Sequence, residues 1–266
     1  MSAVSAVLDV GVAGIGLLGP GLVDWASALP LLRDPALWQR VPTVVPAPAL
    51  LPATERRRAG IVVKASVVVA DAACAAAGVA PASLATVFTS STGDPANCHA
   101  LCEALASAGR LVSPTRFTNS VHNVAAGYWH IATQSMQTST SLAAFDASLA
   151  AGLLEAAAQC AHTLAPVLLV ACDVPYLEPL HGVRPLADSF ALAMVLLPQG
   201  GRRLHLALAG DAIATRCAHP GLETLRGQIP AARGLPLLQA LAGPAAAALV
   251  LEGLPGMALA VQVDAA

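Results

Sequence analysis

The sequence has 266 residues, of which 56% are hydrophobic and 11% charged, with a formal net charge of −2 and a mean hydropathy of +0.67. A nearly neutral chain lacks the basic surface that nucleic-acid binding requires, so we expect no nucleic-acid partner. We also expect no membrane span, because the longest charge-free stretch, residues 117–145, is rich in Ser, Thr, Asn and Gln. Asp9 interrupts the apolar N-terminal stretch, which lacks a basic segment, so no signal peptide is predicted and the expected location is the cytoplasm.

Apolar segments alternate with Ala-rich stretches along the chain, the pattern of an α/β protein. Strands are predicted at residues 6–14, 84–89, 139–144, 166–171, 190–197, 203–209, 247–251 and 258–263. Helices are predicted at residues 54–77, 96–108, 119–133, 146–163 and 235–242. A domain boundary, if there is one, is expected near residues 200–215.

The six cysteines of a cytoplasmic chain are expected to be reduced and to pack as small buried apolar side chains. They are Cys74, Cys98, Cys102, Cys160, Cys172 and Cys217. Cys98 and Cys102 lie one turn apart on a predicted helix. No second pair of ligands accompanies them, so no metal site is expected.

The most informative feature is a predicted strand, residues 139–144, that turns directly into a helix of small residues. This is the arrangement of a nucleophile elbow, which places one side chain at a helix N-terminus. Backbone N–H groups and the helix dipole favour negative charge there, so they lower the pKa of a thiol or stabilise an oxyanion. An enzyme that used this arrangement would carry Cys or Ser at the turn.

The segment around this turn resembles the first half of a β-ketoacyl synthase of the thiolase superfamily. Those proteins carry a helix with Asn-x-x-Ala-Gly, then Gly-Pro, then a strand ending in Thr-Ala-Cys and a Ser-containing helix of small residues. The corresponding residues here are Asn123, Ala126, Gly127, Gln137-Thr138, the strand 139–144, Ala144-Phe145-Asp146, Ser148 and Ala156. Residues 167–171 and 187–196 resemble the strands that follow, and the similarity covers roughly residues 1–200.

The resemblance implies an α/β fold, a thiolase-like layered α/β/α sandwich whose first half is complete and whose second half is truncated or degenerate. It divides the chain into a domain of residues 1–200 and a reduced C-terminal part, residues 201–266, that packs on the same core. Ketosynthases carry two catalytic histidines in a duplicated second half, for which this chain is too short. His181 and His219 lack the flanking residues of those histidine motifs.

The chain departs from the resemblance at the catalytic position, where Asp146 replaces the elbow cysteine and the bulky Phe145 precedes it. A carboxylate at a helix N-terminus is expected to act as a cap. It is also a poor nucleophile for a thioester compared with a thiolate. The resemblance therefore implies a chain with no catalytic residue of its own and no cofactor.

Type II polyketide systems pair an active ketosynthase with a homologue that lacks the cysteine, the chain length factor. Residues 117–131 and 144–156 resemble a short version from aryl polyene clusters. The resemblance implies a heterodimer with an active β-ketoacyl synthase in fatty acid or polyketide synthesis. Phe145 and Asp146 would shape or block the acyl tunnel. The implied partner interface comprises Asn123, Gly127, Tyr128, Trp129, Ser139, Ser141 and Leu142, of which Tyr128 and Trp129 are expected to be exposed.

Two other functions remain open at this point. One is an active acyltransferase or thioesterase that uses Ser148 or Asp146 as its nucleophile. The other is a module that docks an acyl carrier protein through the basic run Arg56, Arg57 and Arg58, since an acidic partner would favour such a run.

Overall fold

A computed structural model describes residues 7–266, which form one eight-stranded mixed sheet with helices on both faces. The strands of this described part are β1 (Leu8–Leu18), β2 (Ala85–Thr89), β3 (Ser139–Leu142), β4 (Val167–Asp173), β5 (Phe190–Leu197), β6 (Arg202–Leu208), β7 (Ala247–Leu254) and β8 (Met257–Val263). The helices are α1 (Trp25–Arg33), α2 (Ala53–Arg58), α3 (Ile61–Ala77), α4 (Pro95–Ala106), α5 (Pro114–Thr118), α6 (Val124–Thr133), α7 (Ser148–Thr163), α8 (Leu180–Val183), α9 (Pro220–Gln228) and α10 (Leu235–Ala242). None of these helices is long and apolar enough to cross a membrane.

The strand order is β3-β2-β4-β5-β1-β6-β8-β7, so β3 and β7 form the two edges. β2 pairs in parallel with both β3 and β4, whereas every other pairing in the sheet is antiparallel. In this register Thr89 of β2 lies beside Leu142 of β3 and Ala171 of β4. The three parallel strands therefore end together, and the loops that follow them meet at one end of the sheet.

Helix α3 packs closely on one face of the sheet because glycines of β1 leave room for its backbone. A Cβ atom on Gly16 would lie 1.9 Å from the carbonyl oxygen of Val69, and one on Gly14 would lie 2.2 Å from that of Ala73. The Ala- and Val-rich face of α3 fills this narrow space and forms, with α6, the core of this face. Many of the apolar side chains that give the sequence its high hydropathy are thus buried between the sheet and this helix.

Helix α7 packs on the opposite face and is enclosed by the C-terminal part of the chain. Gly152 brings α7 against β2, since a Cβ atom there would lie 2.7 Å from Cγ2 of Thr89. The other side of α7 contacts the 3-10 segment Pro230–Gly234 and strands β7 and β8. Strands β6, β8 and β7 therefore continue the sheet beyond β1, and β7 and β8 help to cover α7.

The structure also changes several predicted boundaries. The helix expected at residues 54–77 is two helices, α2 and α3, because the chain is extended at Ala59 and Gly60. The helix expected from residue 119 begins at Val124, and helices α1 and α9 were not predicted. Residue 6, where the first strand was predicted to start, lies outside the described residues.

Candidate functional site

The elbow turn follows β3 at the end of the sheet where the parallel strands finish. Phe145 has φ = +51°, a left-handed conformation that is strained for a bulky residue. The buried hydroxyl of Ser148 donates to the Phe145 carbonyl oxygen at 2.6 Å and accepts from the Ala144 N–H at 3.0 Å. Both hydrogen bonds hold the turn, so the Ser148 hydroxyl is used for structure and does not face a substrate.

Asp146 forms ion pairs with two arginines from distant parts of the chain. Its Oδ1 lies 2.5 Å from Nη2 of Arg184, and its Oδ2 lies 3.0 Å from Nη2 of Arg233. The expectation that Asp146 caps the following helix is wrong, because α7 begins two residues later, at Ser148, and has no side-chain cap. The Asp146 carboxylate is therefore bound by two guanidinium groups and not by the backbone N–H groups of α7, as a cap would be.

Arg184, directly after α8, links the elbow to the loop that follows β2. Its guanidinium carbon lies 3.8 Å from the centre of the Phe145 ring, and Nη2 donates to Ser91 Oγ at 2.7 Å. A guanidinium stacked on an aromatic ring and paired with a carboxylate has little freedom to move. Arg184 therefore joins Phe145, Asp146 and Ser91 in one cluster.

Arg233 extends this cluster into the C-terminal part. Its Nη1 lies 2.9 Å from Oε1 of Glu252 on β7, and Glu252 in turn lies 3.4 Å from Nη1 of Arg226. Arg226 also pairs with Glu223 at 2.7 Å, both on α9. Alternating charges thus connect the elbow with β7 and α9.

The loop between β2 and α4 is held by a buried carboxylate at the end of β4. Oδ1 of Asp173 accepts the N–H of Ser91 at 2.7 Å, that of Thr92 at 3.1 Å and the hydroxyl of Ser90 at 3.1 Å. Burial raises the pKa of Asp173, although these hydrogen bonds act in the opposite direction. The loop is therefore a fixed wall beside the elbow.

A pocket of about 330 Å³ lies between this loop and the segment before α6. Its lining includes Ser91, Cys98, Val121, His122 and Ala143, the residue two positions before Phe145. Burial and then the neighbouring Cys102 raise the pKa of the Cys98 thiol, so Cys98 is not activated as a nucleophile. This pocket lies next to the elbow, and its wall includes Ser91, the partner of Arg184.

The expectation that every cysteine is buried is wrong for two of them. Cys98 and Cys102 are exposed on α4, whereas the other four are buried. Among the described residues, no group of three or more His, Cys, Asp or Glu side chains could hold a metal ion.

The residues predicted for a partner interface lie in two environments. Ser139 is exposed and Ser141 and Leu142 are half-buried on the edge strand β3, while Asn123 and Gly127 are exposed around α6. The expected exposure of Tyr128 and Trp129 is wrong, since their exposed fractions are 6% and 0%. Both rings point into the core between α6 and α3, and only the Tyr128 hydroxyl reaches a polar partner, Asn119.

The basic run lies on α2, close to the predicted interface. Arg57 and Arg58 are exposed, and Nη1 of Arg58 lies 3.7 Å from Glu55. Arg58 lines a second pocket of about 330 Å³ together with Asn123 and Gly127. The structure therefore places the predicted carrier-protein contact beside the predicted partner interface.

The arginine partners of Asp146 were not identified from the sequence. Arg184 and Arg233 lie 38 and 87 residues from Asp146, and no local motif surrounds either of them. His219 lacks the flanking residues of a catalytic histidine motif, and its ring packs edge-on against Trp38 with the ring centres 5.7 Å apart. The site that the fold assembles is thus a carboxylate held by two arginines at the turn between β3 and α7.

Residues 33–252 match the family described as beta-ketoacyl synthase, N-terminal domain, and the chain belongs to this family. Its fold is the thiolase-like ketosynthase fold. No curated protein matches the sequence.

Solved structures with similar folds include ketosynthase complexes. The Xenorhabdus doucetiae ketosynthase ApeO in complex with its chain length factor ApeC contains a chain that matches with a TM-score of 0.72 and 20% identity, covering 96% of this chain and 99% of that one. AntDE:AntF, a type II polyketide synthase acyl-carrier protein in complex with its ketosynthase, matches with a TM-score of 0.74 and 12% identity over 98% and 100%. The ishigamide ketosynthase/chain length factor matches with a TM-score of 0.65 and 13% identity, covering 97% of this chain and 99% of that one. At these identities the similarity establishes the fold.

Proposed function

We propose that this chain is a non-catalytic chain length factor that pairs with an active β-ketoacyl synthase in fatty acid or polyketide synthesis of the aryl polyene type, in the cytoplasm. The observation that carries the proposal is the elbow, where Asp146 stands in place of a nucleophile. Each of its two oxygens is bound by a different arginine. A carboxylate held by two arginines in this way is not free to attack a thioester.

The open edge of the sheet supports pairing with another subunit. Among the described strands, β3 pairs only with β2, and no charged residue lies between Arg116 and Asp146. Met136, just before β3, has an exposed fraction of 97%. An uncharged, uncovered edge strand is a template for adding a strand from a second chain.

Solved complexes with similar folds support the choice of partner. The matched chain in the ApeO–ApeC structure is aligned over 99% of its length, so a chain of similar extent occurs in a complex of a ketosynthase with its chain length factor. By analogy we propose that residues 1–200 form the ketosynthase-like domain, and that residues 201–266 are the reduced remainder of a second half.

The proposal is tested by coexpressing this chain with each active β-ketoacyl synthase of its source genome and measuring the mass of the purified species by light scattering. We expect a 1:1 complex that elongates a carrier-bound acyl chain, and we expect this chain alone to form no acyl-enzyme when incubated with an acyl thioester. A matched complex that carries Asp146→Asn should also form and elongate. Failure to form any complex, or acylation of this chain at Asp146, would overturn the proposal.

We also propose that an acyl carrier protein contacts the complex through Arg57 and Arg58, which are exposed on α2. Reversing both charges should weaken carrier binding at least tenfold and leave the subunit pairing intact. Arg216→Glu is the matched control, since the Arg216 side chain is 77% exposed in the C-terminal part. Unchanged carrier binding would exclude this contact.

The alternative of an acyltransferase or thioesterase has less support. Ser148 would have to give up two hydrogen bonds that hold the turn, and Asp146 would have to leave two arginines. No described contact activates either side chain as a nucleophile.

A further inference from the structure

We propose that Arg184 is a positioning residue that holds Phe145 across the elbow and thereby sets the length of the acyl chain that the paired complex makes. The inference rests on the proposed function, since it assumes that the elbow borders the acyl tunnel. It adds a residue that neither the sequence pattern nor the family assignment identifies.

The position of Phe145 depends on contacts outside its own turn. Its side chain has an exposed fraction of 66%, so the core of this chain does not fix it. Its left-handed backbone turns the ring out from the end of β3, and the stacked contact that is described for this ring is the guanidinium of Arg184. The direction of the ring is therefore determined by where Arg184 is held.

Arg184 is itself held from two sides. Nη2 contacts Oδ1 of Asp146 at 2.5 Å and Oγ of Ser91 at 2.7 Å. Ser91 is fixed because its N–H donates to the buried Asp173. Asp146 is fixed because its second oxygen is bound by Arg233. A side chain restrained in this way is a rigid support for the ring that lies on it.

One member of the cluster, Ser91, lines the pocket beside the elbow. Ser91 and Ala143 both line this pocket of about 330 Å³, and Arg184 reaches from Ser91 to Phe145. Because Phe145 is exposed and follows Ala143 by two residues, an apolar chain that reached the elbow would meet its ring. Removing the guanidinium would free the ring to turn aside and would leave more space for the chain.

The experiment uses the purified complex with the partner ketosynthase and measures the product-length distribution by mass spectrometry. Arg184→Met keeps the length of the side chain but removes its charge, and we expect the fraction of products longer than the main wild-type product to rise at least threefold. Arg184→Lys retains the charge and should restore at least half of the wild-type distribution. Arg216→Met, at an exposed arginine that contacts neither Phe145 nor Asp146 in the described ion pairs, should leave the distribution unchanged.

A double-mutant test separates the proposed role from a general loss of packing. Phe145→Ala should lengthen the products as Arg184→Met does, and the two changes together should add little to either one, because both act through the same ring. Additive effects, or an unchanged distribution in an intact complex, would overturn the inference. If Arg184→Met does not fold, Ser91→Ala replaces it, since it removes one of the two contacts that hold Arg184 and leaves the ion pair with Asp146 in place. It should also lengthen the products, and an unchanged distribution would overturn the inference. Absence of a complex with the wild-type chain would instead overturn the proposed function.

Discussion

The two edges of the sheet are built in opposite ways. At β7 the chain covers its own edge, since the Thr215 N–H donates to the Val250 carbonyl at 2.8 Å and Thr215 Oγ1 accepts the Val250 N–H at 2.9 Å. Glu252 on the same strand is paired with Arg226 and Arg233. At β3 no described strand pairs with the outer side, and the strand carries only Ser, Thr and Leu.

The β7 edge is therefore protected by the chain itself, whereas the β3 edge is open to pairing with a strand of another chain. Natural sheets protect their edges with charges, short covering segments or proline, because an open strand invites pairing with other chains. Here the protection is concentrated on β7, in the C-terminal part, and is missing from β3. We therefore interpret β3 as the edge that the proposed partner completes.

The largest expected effect comes from blocking β3. The Thr138 and Leu142 carbonyls accept from β2, so the alternating backbone places the N–H of Ser141 on the outer side. Ser141→Pro should therefore weaken the complex at least a hundredfold in a binding titration and shift the melting temperature of the isolated chain by only a few degrees. Ser141→Ala is the control and should bind normally. Tight binding by Ser141→Pro would mean that the partner contacts another surface.

The next effect tests how much the ion pairs between the elbow and the C-terminal part stabilise the fold. Arg233 has a side chain that is 13% exposed and pairs with both Asp146 and Glu252. Arg233→Met leaves two carboxylates without this partner and should lower the free energy of unfolding by about 2 kcal/mol, measured by urea denaturation. The exposed control Arg216→Met should change it by less than about 0.5 kcal/mol. Equal losses for the two variants would show that the ion pairs do not stabilise the fold.

A smaller effect is expected from opening the β7 edge. Thr215→Val keeps the shape of the side chain but removes the acceptor of the Val250 N–H. We expect a loss of about 1 kcal/mol in the free energy of unfolding and faster hydrogen exchange at the Val250 amide. Binding of the ketosynthase should be unaffected. Weaker binding would show that the partner also depends on β7.

The smallest effect is a pH dependence near the protected edge. Hydrogen bonding from Arg226 lowers the pKa of Glu223 below its ordinary value of 4.5. A carboxyl of this kind contributes stability that is complete above its ordinary pKa and is lost as the pH falls through the lowered one. Glu223→Gln should cost about 1 kcal/mol at pH 7, and the difference from wild type should shrink as the pH is lowered below 4.5. A difference that is constant with pH would assign the loss to packing.

The sequence by itself was sufficient for the features that depend on local pattern. Alternating apolar segments and Ala-rich stretches predicted the α/β class and most of the strands, and helix α10 was predicted with its observed bounds. The strand followed directly by a helix of small residues predicted a tight turn between residues 142 and 148, which the structure has. Such features follow from neighbouring residues, whose preferences are expressed wherever the segment lies.

Only the tertiary structure decided what surrounds the elbow. The partners of Asp146 come from Arg184 and Arg233, and the roles of these arginines depend on loops that meet only when the sheet has formed. Trp129 looked like an interface residue in the sequence, but it packs against α3, which lies more than fifty residues earlier. Long-range contacts of this kind leave no periodic or local signal, because the energy of a buried ring or an ion pair depends on which distant segment is brought beside it.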